Sequence, residues 1–164
     1  MIFNNVRCAA VALALVAFGA ASAQAQTATQ TVTFGVNAIN QIAFAGSPTL
    51  TITTAVAGAA PTSVTDALSA TWAVTTNQTG AKITASIPAA MGTGLTLSVS
   101  LTAPTGATSA GFQALSTTAV DLVTVITKQA QASLGVSYKL DATAAAGVVA
   151  SSTKVVTYTI TGGT

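Results

Sequence analysis

Histidine and glutamate are missing from this chain, cysteine occurs once, at Cys8, and charged side chains make up 5% of the residues. The one arginine is Arg7. These absences remove whole classes of chemistry. Ser-His-Asp and Cys-His arrangements have no base, and paired glutamates for acid–base work do not exist here. A Ser-Lys dyad is the arrangement left, and it requires a lysine depressed by burial. Lys82, Lys128, Lys139 and Lys154 instead fall on polar faces of alternating runs or in turns, so the chain reads as a non-enzyme. Zinc and copper lose their preferred ligands. Calcium accepts oxygen donors, but Asp66, Asp121 and Asp141 stand apart, without D-x-D spacing. Asp66 and Asp121 read as turn caps, and Asp141 as a loose partner of Lys139. No cofactor and no metal is expected. A nucleic-acid partner is excluded as well, since it requires clustered basic side chains.

Long hydrophobic runs are scarce too. One of thirteen residues, Ala9–Ala21, follows Arg7, and small residues at Ala21, Ala23 and Ala25 offer A-x-A cleavage after Ala23 or Ala25. Residues 1–25 therefore read as a secretory signal peptide. The run is too short for a transmembrane helix, which takes roughly 20 apolar residues, and nothing downstream is longer, so the protein is expected not to span a membrane. Cys8 precedes the apolar core and leaves with the leader. The exported chain then has no disulfide, which fits bacterial export to the periplasm, the cell surface or the medium. Residues 26–164 remain, about 140 residues and one domain's worth. They carry four lysines and three aspartates, a formal charge of +1. Such a surface repels its own copies weakly.

What is present is threonine, about thirty of them, set in short alternating runs. Thr29 to Ala38, TQTVTFGVNA, places Val32, Phe34, Val36 and Ala38 on one side and Thr31, Thr33, Gly35 and Asn37 on the other. Strict period-2 alternation predicts a strand, either the first of its own domain, with VTYTIT near the far end as its partner, or one offered to a neighbour. Asn40-Gln41 then interrupts, and Ile42–Phe44 is a short apolar piece. TLTITT (49–54) alternates again. Residues 55–65 read as a loop. SATWAVTT (69–76) and AKITASI (81–87) flank Asn77-Gln78-Thr79-Gly80 and together predict a hairpin. LTLSVSLT (95–102) and residues 134–142 alternate, with Leu134, Val136, Tyr138 and Leu140 inward; so does KVVTYTIT (154–161). DLVTVIT (121–127) fits a strand or a helical turn equally. Gly162-Gly163-Thr164 trails off.

Seven to nine short strands, Gly/Pro/Ser/Thr turns and no strong helical period predict an all-β fold, an antiparallel two-sheet β-sandwich of immunoglobulin-like or pilin-like type. The Thr-x-Thr runs are the ordinary polar face of strands, although hydroxyl arrays also occur on ice- and sugar-binding surfaces. Trp72 alternates with Ala70 and Val74 and so belongs to the core rather than to a sugar platform. Asn77-Gln78-Thr79 matches an N-glycosylation pattern but sits where a turn is expected.

A leader ending ASAQA, an alternating TVTFGV directly after it, Ala/Thr/Ser-rich strands with few charges and a closing VTYTIT resemble bacterial secreted β-sandwich proteins of surface and fimbrial type. With a single Trp opening a strand, the chain also resembles WxL-type sandwiches. Pilins often carry a disulfide, and this chain has none. No pilin binding residue is carried over from the resemblance; the strand directly after the leader, the nearly neutral Thr/Ser surface and the missing catalytic residue types point to a structural subunit of a filament, coat or surface layer, with Val32, Phe34, Val36 and Ala38 as the candidate inter-subunit strand of a self-associating chain. A monomeric module that recognises a cell-surface glycan or protein through loops 55–65 and 103–111 is the alternative.

Overall fold

The computed structural model describes residues 25–164; the expected leader, apart from Ala25, lies outside the described residues. Residues up to Gly35 and residues Val36–Thr164 are separate units. The second unit holds nine strands: β1 (Asn40–Gly46), β2 (Val64–Thr76), β3 (Ala81–Ser86), β4 (Leu95–Leu101), β5 (Thr108–Ser109), β6 (Gln113–Ala114), β7 (Val120–Ile126), β8 (Gln129–Ala142) and β9 (Thr157–Thr161). They form two antiparallel sheets, β1-β2-β8-β4-β6 and β5-β7-β3-β9. The chain is thus an all-β, two-sheet sandwich, as its alternation predicts.

The core is the sum of the inward rows. Ala70, Trp72 and Val74 of β2, Ala81, Ile83 and Ala85 of β3, and Leu97, Val99 and Leu101 of β4 are buried, together with Leu122, Val123 and Ile126 of β7 and Val136 of β8. Each large aliphatic side chain buried this way contributes about 1.5–3 kcal/mol. Trp72 is 1% exposed and its Nε1–H donates to the Thr102 carbonyl at 3.2 Å, which places it in the core.

After β1–β2, every connection crosses from one sheet to the other. This overturns the expected hairpin at 69–87. β2 and β3 lie in different sheets, so their inward rows face each other across the core instead of standing side by side. The alternation of both strands is as read; alternation reports which side chains are buried and is silent about which strand is the neighbour. The ambiguous DLVTVIT is strand β7. Its ladder with β3 slips between Ala81 and Ile83, and Val125 turns outward at φ 61°. That bulge puts Leu122, Val123 and Ile126 inward together, a spacing that mimics a helical turn.

Three other expectations are corrected. Residues 29–38 belong to no strand; the first strand is β1, which begins at Asn40 and includes the apolar Ile42–Phe44. VTYTIT supplies β9, which pairs with β3 from Thr157↔Ser86 to Thr161↔Lys82. TLTITT forms no strand, although Leu50 and Ile52 are half-buried between exposed threonines. Its alternation is satisfied by side-chain burial without a ladder.

The C-terminal residues are fastened rather than trailing. The amide of Thr79 donates to the Thr164 carbonyl at 2.9 Å, and the amide of Thr164 returns a bond to the Thr79 carbonyl at 3.1 Å. A Cβ at Gly163 would lie 1.6 Å from that same Thr79 oxygen, so only glycine lets the two backbones meet. Gly163→Ala is expected to lower unfolding free energy by about 1–3 kcal/mol, read by urea denaturation. Gly35→Ala, where an added Cβ meets nothing within 4 Å, is expected to leave the midpoint unchanged.

The two sheets are also joined by Tyr138 of β8 and Tyr158 of β9, whose hydroxyls lie 2.5 Å apart. Burial pushes both phenols above the ordinary 10.0, and for Tyr158 the hydroxyl of Tyr138 pushes the same way. The folded state therefore keeps protons that the unfolded chain releases. The stability this contributes is complete below the unfolded value and falls as pH rises above it. Denaturation midpoints are expected to hold from about pH 7 to about pH 9 and to drop steadily above about pH 10. In a Tyr138→Phe/Tyr158→Phe double variant that alkaline drop is expected to shrink.

Candidate assembly surfaces

The residues singled out for chemistry are dispersed. Among the described residues no group of three His, Cys, Asp or Glu is placed to hold a metal. Asp66 accepts from the amides of Thr49 at 3.2 Å and Ser69 at 3.1 Å and from the Ser69 hydroxyl at 2.5 Å. It thereby caps the irregularity in β2 between Asp66 and Ala70. Asp121, expected as a turn cap, stands instead on β7 and pairs with Lys82 of β3 at 3.0 Å. Asp141 pairs with Lys139 at 3.1 Å, as expected. A hydrogen bond from Ser63, with Lys139 beside it, holds the Asp141 carboxyl below the usual carboxylate range. Lys154 donates to the carbonyls of Ala89 and Ala90 at 3.2 and 3.3 Å. The partners of Lys82, Lys139 and Lys154 are carboxylates and backbone carbonyls.

The loops offered as a recognition surface are tied down. In 103–111, Thr105 is held at three atoms by Gln129 and Gln131 of β8, and β5 forms inside it. In 55–65, Ala55 bridges Pro61 and Val56 is exposed. Open concavities of about 310 Å³, lined by Ile39, Asn77 and Lys128 among others, and about 410 Å³, lined by Met91, Leu95 and Val149 among others, lie elsewhere on the domain.

Two features stand out from this background. The first is the N-terminal arm. Residues 25–39 are exposed throughout, with Val32 at 71%, Phe34 at 92% and Val36 at 80%. In the sequence these three alternate with Thr33 and Gly35, and large apolar side chains left in water mark a surface that a partner can cover. Ala38 is the next residue of the same alternation in sequence and is likewise exposed.

The arm's base is fixed by Asn77. Its Nδ2 donates to the Asn37 carbonyl at 2.8 Å, its Oδ1 accepts from the Ile39 amide at 2.8 Å, and its own backbone amide donates to the Ile39 carbonyl at 3.3 Å. Alongside, Asn40 bonds Gln78 at 2.7 Å and Thr76 at 2.8 Å. Sequence reading offered Asn77 only as a turn residue or glycan acceptor. Its role as a clamp depends on a neighbour 40 positions away, which no local motif announces.

The second feature is the edge at β9. The sheets end in four edge strands. β5 and β6 have two residues each, whereas β1 has seven and β9 five. Short edges resist pairing with other chains; long uncharged ones do not. Comparison with protein-family models, with curated proteins and with solved structures gave no match for this chain.

Asn77→Ala removes both side-chain bonds to the arm's base. It is expected to cost about 1–2 kcal/mol and to speed hydrogen exchange at the Ile39 amide, measured by NMR, while amides of β3 and β7 exchange at their original rates.

Proposed function

We propose that the protein is a non-catalytic, exported structural subunit of a bacterial cell-surface filament, coat or surface layer, assembled through its N-terminal arm. The observation that carries this reading is the exposure of the apolar Val32, Phe34 and Val36 on an arm clamped at its base. Keeping them in water costs the transfer free energy of each side chain, and a neighbouring subunit offers the cover. The nearly neutral Thr/Ser surface supports the same reading, since copies approach without strong repulsion. So does the composition, which holds almost no material for acid–base or metal chemistry. Among the described residues no helix is long and apolar enough to cross a membrane.

The test uses the exported chain, residues 26–164. Wild type is expected to form concentration-dependent assemblies visible by size exclusion and electron microscopy. Phe34→Asp is expected to stay monomeric while its unfolding midpoint remains within about 0.5 kcal/mol of wild type. A wild-type chain that stays monomeric at every concentration overturns the proposal.

A further inference from the structure

Resting on that assembly reading, we propose that the arm of one copy adds to the free edge of β9 in a second copy, becoming a fifth strand of the four-stranded sheet.

The acceptor is read from an asymmetry between the sheets. In the five-stranded sheet, Ile42 and Phe44 of β1 stand opposite Val74 and Trp72 of β2 and share their inward face. Val74 and Trp72 are 2% and 1% exposed, yet Ile42 and Phe44 are only half-buried. β1 is itself the last strand of its sheet, and what faces it across the core is another edge. The ring of Phe44 stacks on Tyr158 of β9 at 3.8 Å, and β9 is the last strand of its sheet. A strand added beyond β9 would extend that sheet under β1 and complete the burial of this side. The edge itself, TYTIT, is uncharged, and among the described residues its ladder runs on one side only, to β3.

The occupant is the arm because it has the matching properties. Thr31–Val36 is six residues long, against five in β9. It alternates with period 2, so a strand formed from it would turn Val32, Phe34 and Val36 to the core side and its threonines to water. No charged residue lies between 26 and 65, so pairing desolvates no ion. Backbone bonds would supply affinity and the alternate side chains register, as in β-strand addition generally. Donor and acceptor are different surfaces of one molecule. Such a contact is heterologous and propagates as an open chain of subunits, not a closed dimer.

The exported chain lacks cysteine, so single introduced thiols report the pairing. Thr33→Cys in the arm and Thr159→Cys on β9, both at exposed polar positions, are mixed under conditions that allow assembly and oxidised. Thr31→Cys and Gly35→Cys sample registers shifted by two residues. At least one arm variant is expected to cross-link to Thr159→Cys in about tenfold excess over either homodimer, because paired strands hold the thiols at high effective concentration. Three results overturn the inference: arm-to-arm homodimers in excess, preferential cross-linking of the arm to Ala43→Cys on the β1 edge, or an internally cross-linked monomer from a Thr33→Cys/Thr159→Cys chain. Assemblies seen by electron microscopy without any arm-to-β9 cross-link reject this docking site and leave the assembly reading standing. The absence of assemblies rejects both.

Discussion

The structure depends on one constraint. Residues 26–164 contain no cysteine, so the two sheets are held together without a disulfide, by apolar burial between them using side chains that are mostly small or β-branched. Eight aromatic residues are spread over 164 positions, and three of them, Phe44, Trp72 and Tyr158, meet in one stack on the β1/β9 side. Elsewhere Ile83, Leu101, Leu122, Ile126 and Val99 fill the space between the sheets. Because nearly every connection crosses from sheet to sheet, each strand's inward row packs against rows from strands remote in sequence. The half-buried phenols of Tyr138 and Tyr158 then add a polar tie between the sheets at the point where the aromatic stack ends.

That same arrangement shapes the sandwich's edges. On the β5/β6 side both sheets end in strands of two residues, which offer little backbone for another chain to pair with. On the β1/β9 side the edges are longer and uncharged, and the inward side chains there are only half-buried. Asn77, Gln78 and the C-terminal Gly162–Thr164 converge on the turn that joins β2 to β3. One four-residue turn therefore fixes the base of the arm and anchors the end of the chain. The proposed assembly joins exposed apolar residues of the arm to one of the two longer, uncharged edges.

Much of the fold was legible because burial writes itself into sequence as alternation. The period-2 runs 69–76, 81–87 and 95–102 place 70/72/74, 81/83/85/87 and 95/97/99/101 on one face each, and all of these but the half-buried Leu95 are buried. The ion pair Lys139–Asp141 followed from local spacing, whereas Asp66, expected as a turn cap, caps an irregularity inside β2. What was illegible needed distant neighbours. TQTVTFGVNA and TLTITT alternate as regularly as any strand yet form no ladder, because ladder formation requires a partner backbone that the pattern does not name. The β2–β3 hairpin failed for the same reason, and Asp121 found Lys82 across a strand pair rather than a turn amide. The clamping role of Asn77 was the least visible, since its bonds run to Asn37 and Ile39.

Composition and period by themselves determined the all-β class, the two-faced strands, the identity of most core residues and the scarcity of groups for catalysis or metal binding; these are local or summed properties of the chain. Tertiary structure decided which strands are neighbours, that the chain crosses between sheets at nearly every turn, where the arm is clamped and which edges stay open. These depend on contacts between residues far apart in sequence, where loop closure and packing of opposed faces choose among pairings that alternation alone leaves equal.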